Sequence, residues 1–179
     1  GGWGTGFYND VFTMGNYAYI AAGWNGLDII DIKTPSKPSA VGNINLKAEA
    51  LMLHVNGKYA YVACSDGLHI VDVSIPALPK ATGFFPFATY MGYPTETALG
   101  IIADGNYAYL AFKYGRITSS FISILDVSNP AKPKATGSSI YIDDSYEPGD
   151  RLPFQKKGQY LFYCSAMNNT LEIYDVSNP

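Results

Sequence analysis

The most regular feature of the chain is a short stretch in which large and small apolar residues alternate. In Tyr59-Ala-Tyr-Val-Ala-Cys64 the two tyrosines fall on one parity, and Ala60, Val62 and Cys64 fall on the other. Successive side chains of a β-strand point to opposite faces, so the pattern predicts a strand with aromatic rings on one face and small residues on the other. The following run, Leu68 to Val73, is rich in Ile and Val and predicts a strand buried on both faces.

This pair of strands recurs four times along the chain. The first strand follows a turn glycine in the copies that begin at Gly15, Gly57, Gly105 and Gly158. The second strand ends at an aspartate and leads into a proline turn, at Asp31, Asp72, Asp126 and Asp175. A further apolar run, such as Ala50 to Val55, precedes each glycine, and Asn56-Gly57 predicts a tight hairpin turn with positive φ at both central residues. Proline cannot donate to a strand ladder, so each proline turn ends the second strand of the pair. The residues after the turn then form a fourth strand of the repeat.

Four antiparallel strands in a repeat of about 40 to 50 residues are typical of a β-propeller blade. We therefore predict an all-β fold, a β-propeller of four-stranded antiparallel blades in one domain, 1–179, present as an incomplete segment of about four blades. The predicted blades cover about 7–46, 47–92, 97–142 and 150–179, and the last lacks its outer strand. An incomplete blade exposes unpaired edges, so we expect the remaining blades to come from the same or another chain. A closed ring of four blades is the alternative.

The three modules in this order resemble the LVIVD-repeat family. They are Gly57-Lys-Tyr-Ala-Tyr-Val-Ala, Leu68-His-Ile-Val-Asp72 and Asp126-Val-Ser-Asn-Pro130, and the resemblance extends from about Val11 to Pro179. It implies a β-propeller that is secreted or displayed on the surface of a bacterial or archaeal cell. The resemblance carries no catalytic residues to this chain.

Composition and motifs exclude several classes of function. The net charge is −3 with only 15% charged residues, which is unlike the clustered basic surface that binds nucleic acid. No run of about 18 apolar residues predicts a membrane span. Signatures of hydrolases, zinc proteases and phosphate-binding loops are absent from the sequence, so catalysis within this segment is not indicated. Tyr outnumbers Lys and Arg together, 15 to 12, which favours an extracellular setting.

The histidines and cysteines are predicted to be structural. His54 and His69 fall on two strands of one blade that are separated by a third, too far apart to share a metal. Cys64 and Cys164 fall in different blades and are predicted to be free buried thiols. The four repeated aspartates are predicted to accept backbone N–H bonds at the proline turns.

The candidate functional face is a rim formed by two sets of loops. They are the long, variable loops that join one blade to the next and the turns between the two strands of each recurring pair. Loops held by a rigid scaffold commonly carry recognition. Aromatic and charged residues of these loops and adjoining strand ends are candidates for contact with a protein or glycan, against the alternative of packing over loop backbone. They are Trp24, Tyr90, Tyr93, Glu96, Tyr114, Arg116 and Tyr146.

One of these loops is acidic. Asp143, Asp144, Glu147 and Asp150 lie within eight residues, and carboxylates are ligands for Ca²⁺. The spacing departs from the calcium loop of EF-hands, and the alternatives are a solvated acidic loop or pairing with Arg151. No other cofactor is indicated by the sequence.

The sequence thus favours a non-catalytic, surface or secreted β-propeller that binds through its loop rim. The alternative is a segment of a larger propeller enzyme with its active site on the central axis.

Overall fold

A computed structural model describes residues 6–87, 95–114, 120–142, 151–165 and 168–179, with the main chain alone for 95–97 and 114. The described residues form fifteen β-strands and no helix, which confirms the all-β prediction. No helix able to cross a membrane is therefore found among them. The first two sheets contain β1 (Asp10–Met14), β2 (Tyr17–Ala21), β3 (Leu27–Asp31), β4 (Ser39–Ile44), β5 (Ala50–Asn56), β6 (Tyr59–Cys64), β7 (Gly67–Asp72) and β8 (Lys80–Pro86). The other two contain β9 (Thr95–Asp104), β10 (Tyr107–Tyr114), β11 (Ser120–Asp126), β12 (Lys134–Ile142), β13 (Phe154–Lys157), β14 (Tyr160–Ser165) and β15 (Thr170–Asp175).

Each sheet is an antiparallel meander. Three sheets have four strands in chain order, and the fourth has three, β13, β14 and β15. The turn between the first two strands of a sheet differs from the sequence prediction at one residue. Gly57 has φ +59° but Asn56 does not have positive φ, because Asn56 pairs with Tyr59 and the two central residues are Gly57 and Lys58. Positive φ at the first central residue alone is the pattern of a type II′ hairpin.

The alternation along the second strand of each sheet decides which sheets pack together. Tyr61 and Ala63 of β6 belong to the core shared with the third sheet, whereas Val62 and Cys64 belong to the core shared with the first. A third core joins the third and fourth sheets around Tyr109. The predicted parity is confirmed, and the three cores stack the four sheets in chain order.

In the first three copies of the repeated motif, the most deeply buried tyrosine is the second one. The first tyrosines of the repeated motif, Tyr17, Tyr59 and Tyr107, are only partly buried, and Tyr160 is exposed. The second tyrosines are the ones that are almost fully buried, at Tyr19, Tyr61 and Tyr109. The second position lies one pleat further from the hairpin turn and therefore deeper between two sheets.

Two proline turns lie close against the backbone of the preceding sheet. A Cβ atom added to Gly42 of β4 would lie 2.1 Å from the carbonyl oxygen of Pro76, and one added to Gly83 of β8 would lie 1.9 Å from the oxygen of Pro130. Only glycine leaves room for this approach. At Gly42 and Gly83 the glycine of the fourth strand and the proline turn of the next sheet therefore form one interface between successive sheets.

The repeated aspartates do what the sequence predicts. Asp31, Asp72, Asp126 and Asp175 each accept a hydrogen bond from the backbone N–H two residues further on, at 2.7 to 2.9 Å. Hydrogen bonds from Ser74 lower the pKa of Asp72, and those from Ser128 lower the pKa of Asp126. These carboxylates therefore stabilise the proline turns in their charged form.

The fourth sheet keeps one apolar face open. Leu171 and Ile173 of β15 are 59% and 55% exposed, although they occupy the positions of Leu68 and Ile70, which are fully buried. Cys164 lies on the same open face and is exposed, so the prediction of two buried thiols is correct for Cys64 and wrong for Cys164. Among the described residues no hydrophobic core joins this face to another sheet. The four sheets are therefore not closed into a ring.

Candidate functional site

The loop rim is defined here as the turns after β2, β6, β10 and β14 together with the connections between sheets. Hydrogen bonds confirm that the described parts of these loops adjoin one another. The Ser65 N–H donates to the Glu49 carbonyl at 2.9 Å, and the Gly23 carbonyl accepts from Ala50 N–H at 2.9 Å. The Asn45 side chain donates to the Trp24 carbonyl at 3.2 Å.

Among the aromatic candidates of the rim, Trp24 is the one whose side chain the structure describes. Its side chain is 66% exposed, yet its turn is tightly held. The Ala22 N–H donates to Gly26 O at 2.8 Å and the Gly26 N–H donates to Gly23 O at 3.0 Å. The ring is consequently presented to solvent from a fixed backbone.

The other sequence-predicted rim residues are not brought together by anything that the structure describes. Tyr90, Tyr93, Arg116 and Tyr146 lie outside the described residues, as do the calcium candidates Asp143, Asp144, Glu147 and Asp150. Glu96 lies in β9 and Tyr114 at the end of β10, with only their main chain described. Arg151, which follows the acidic loop, pairs with Asp10 of the first sheet through Nη1 at 2.7 Å.

A polar cavity of about 430 Å³ lies where the first strands of the four sheets converge. We call it the axial cavity. Each of these strands contributes one titratable side chain, and Arg151 adds a fifth just before β13. The five residues are Asp10, His54, Asp104, Arg151 and Lys156.

The charges of the axial cavity are paired. Arg151 donates to Asp10 and also to the carbonyl of Asn9, so it joins the fourth sheet to the first. Lys156 donates to Asp104 at 2.6 Å and lies 5.6 Å from the centre of the Tyr109 ring. Asp10 also accepts from the Leu53 N–H at 2.9 Å. The cavity therefore contains two ion pairs, each between a cationic side chain of the fourth-sheet segment and an aspartate of another sheet.

His54 lies between these pairs and was predicted to be only structural. Its ring centre is 4.5 Å from that of Phe12, and its Nδ1 accepts a 3.3 Å hydrogen bond from the Ala103 N–H. Burial lowers the pKa of His54, opposed by Asp104 and Asp10, so the neutral form is favoured. Every first strand carries at least one ionisable residue, but these residues occupy different positions in their strands, so the sequence alone does not bring them together.

A second cluster lies at the rim beside the turn between β6 and β7. His69 Nε2 and Asp66 Oδ1 are 2.9 Å apart, and the donor atoms of Cys64, Asp66 and His69 all lie within 4.8 Å of one another. Burial, and secondarily the charge of Asp66, raises the pKa of the Cys64 thiol. The His69 ring also contacts Phe84, with ring centres 4.7 Å apart.

Solved structures with a similar fold were found at low sequence identity. The computationally designed Ika4 protein has a TM-score of 0.61 at 11% identity, with 98% of this chain and 94% of that chain covered. BamB from Moraxella catarrhalis has a TM-score of 0.61 at 13% identity, with 96% and 48% covered. The designed Ika8 protein has a TM-score of 0.63 at 10% identity, with 96% and 46% covered. The chain spans about half the length of BamB and Ika8, and at these identities the likeness supports the propeller fold alone.

No curated protein matches the chain. The model of the LVIVD repeat, in contrast, matches residues 5–46, 49–85, 97–139 and 157–179, one match for each sheet. These four matches cover most of the sequence and include the strand, aspartate and proline modules described above. The chain therefore belongs to the LVIVD-repeat family.

Proposed function

We propose that this chain is a non-catalytic β-propeller module that binds a protein or glycan partner through its loop rim. The observation that supports the proposal is the exposed Trp24 ring on a turn fixed by hydrogen bonds from both sides. Exposed tryptophan is uncommon on a folded surface, because the ring is large and mostly apolar. Tryptophan is also enriched among the residues that contribute most to binding energy.

The fixed backbone strengthens this proposal. Ordering a loop on binding costs free energy that is subtracted from affinity, and a turn that is already ordered avoids the cost. Asn43 adds to the order of this turn by donating to the Asn25 carbonyl at 3.2 Å. An indole ring suits two classes of partner, because it fills an apolar protein pocket or stacks on the face of a sugar.

Site-specific photocrosslinking tests the proposal. A benzophenone amino acid is placed at position 24 or, as the control, at position 78. Leu78 is 73% exposed but lies in a proline turn at the opposite end of the second sheet. Irradiation of cells of the source organism is expected to give a discrete adduct from position 24 alone, and digestion with protease or glycosidase then identifies its class. Adducts of equal yield from both positions, or none from position 24, would contradict the proposal.

We also propose an extracellular or cell-surface location. The support is compositional, since Tyr outnumbers Lys and Arg together. The expected result is that protease added to intact cells degrades the protein while a cytoplasmic marker survives. Protection of the protein until the cells are lysed would refute the location.

A second candidate function is a ligand or catalytic site in the axial cavity of a larger propeller. It is favoured by the convergence of His54 with two ion pairs in a space of about 430 Å³, a size suited to a small molecule. A thermal-shift screen with amino acids and dicarboxylates tests it. The expected result is a stabilising compound whose effect is lost in His54→Gln, and a screen without any stabilising compound would count against it.

We further propose that another blade of the same repeat, from the same or another chain, covers the open face of the fourth sheet. The equivalent faces of the other three sheets are all covered by a neighbouring sheet. Ile173→Asp is expected to abolish association with such a blade without lowering the melting temperature of the isolated chain. A marked loss of stability in that chain would mean that Ile173 is already buried.

A further inference from the structure

The cluster at the turn between β6 and β7 contains three different metal-ligating side chains. Cys64 ends β6, Asp66 occupies the two-residue turn, and His69 lies in β7. Val62 pairs with His69 and Cys64 pairs with Gly67, so Cys64 and His69 are diagonal neighbours on one face of the sheet. The hairpin therefore directs a sulfur and an imidazole nitrogen to the same place, and the turn adds a carboxylate.

The internal repeat shows that this set is peculiar to the second sheet. Counted from the first tyrosine of each motif, the positions equivalent to Cys64 hold Ala22, Phe112 and Ser165. Counted from the first residue of the Leu-x-Ile strand, the positions equivalent to His69 hold Asp28, Ser123 and Glu172. The equivalent two strands pair in the other three sheets without cysteine or histidine at these positions, so strand pairing does not require them. Among the four copies, only the second has a cysteine and a histidine at these two positions.

We propose that Cys64, Asp66 and His69 form a zinc-binding site at the loop rim. Thiolate, imidazole and carboxylate are the three donor types that bind Zn²⁺ in proteins, at about 2.0 to 2.3 Å. Donor atoms around one tetrahedral zinc ion are roughly 3.5 Å apart, and the three donor atoms of this cluster lie within 4.8 Å of one another. The Cys64 thiol releases one proton to solvent as the zinc–sulfur bond forms, and His69 binds in its neutral form.

The surroundings suit an open site. Three protein ligands leave one position of a tetrahedral ion for water or for an atom of a bound partner. Asp66 is 48% exposed whereas the His69 side chain is 14% exposed, so the ion would be anchored in the protein and reached from the rim. The His69 ring packs against Phe84, with ring centres 4.7 Å apart, and this contact restricts the orientation of the imidazole.

Titration of the metal-free chain with Co²⁺ alone tests the proposal, because cobalt bound to a thiolate gives a sulfur-to-metal charge-transfer absorption. We expect the wild-type chain to show this band, and Zn²⁺ to remove it by displacement. Cys64→Ser is expected to abolish the band, and His69→Gln and Asp66→Asn are expected to weaken Co²⁺ binding by at least about tenfold. Asp66→Asn changes an exposed turn residue, so it reports on the site even where Cys64→Ser disturbs the core.

Cys164→Ser is the matched control, because Cys164 is the other cysteine and is exposed on the fourth sheet. This variant is expected to keep the band at full intensity. A wild-type chain without the band would overturn the proposal. So would a band that is lost in Cys164→Ser and retained in Cys64→Ser, since the metal would then be held adventitiously by the exposed thiol.

Discussion

The contact between Gly83 and the Pro130 carbonyl predicts a large effect from one added methyl group. In Gly83→Ala the new Cβ would lie 1.9 Å from that oxygen, whereas an ordinary carbon–oxygen contact is about 3.3 to 3.6 Å. The gap has to widen by roughly 1.5 Å. The obstacle is backbone, so no side-chain rotation relieves it, and the proline turn has to move away from the second sheet.

The expected cost is at the upper end of the range for overpacking, about 3 kcal/mol. In a chain of 179 residues each kcal/mol lowers the melting temperature by about 2 to 4 °C, so the expected decrease is about 6 to 12 °C. Gly83 does not have positive φ, so the loss would come from the contact and not from backbone strain. Gly42→Ala is expected to behave alike, because its added Cβ would lie 2.1 Å from the Pro76 oxygen.

Thermal unfolding followed by circular dichroism measures this effect. Gly137 is the matched control, since it occupies the same position of the third sheet and an added Cβ meets no atom within 4 Å. Its φ of +90° adds backbone strain, so Gly137→Ala should lower the melting temperature by a smaller amount, corresponding to about 1 to 2 kcal/mol. A decrease of less than about 3 °C for Gly83→Ala, or a larger decrease for Gly137→Ala, would refute the assignment of glycine to this interface.

Four further predictions concern burial, pH and calcium. Tyr61→Ala is expected to destabilise the chain by about 3 to 5 kcal/mol in denaturant titrations, and Tyr160→Ala by less than about 1 kcal/mol, because the Tyr61 ring is buried and the Tyr160 ring is exposed. Since burial lowers the pKa of His54 below 6.5, the unfolded chain binds more protons and stability should fall as the pH drops below about 6.5; an unchanged profile in His54→Gln would contradict this. Hydrogen bonds lower the pKa of Asp72 and Asp126 below 3.8, so their contribution should be present above pH 4 and disappear in acid, as melts between pH 2 and 5 would show. If the loop at 143–150 binds Ca²⁺, melts with calcium and with chelator should differ, and identical midpoints would leave it a solvated loop.

The repeating unit and its local geometry follow from the amino-acid sequence alone. Alternation in Tyr59–Cys64 identified the strand and the two faces that pack on different sheets, because side-chain direction in a strand follows from parity alone. The aspartate turns were equally predictable, since the Asp72 carboxylate and the backbone N–H that it binds are two residues apart. Interactions of this range depend on the local chain and not on how the sheets are stacked.

Contacts between residues of different sheets depend on how those sheets are stacked. The stacking of the sheets determines that Tyr61 is buried more deeply than Tyr59, that the face bearing Cys164 is open, and that Arg151 contacts Asp10, which is distant in sequence. The axial cavity has the same origin, because His54 and its charged neighbours occur at different positions of their strands and meet only where those strands converge. Strand parity determines the face on which a side chain lies, but the stacking of the sheets about an axis determines what lies opposite that face.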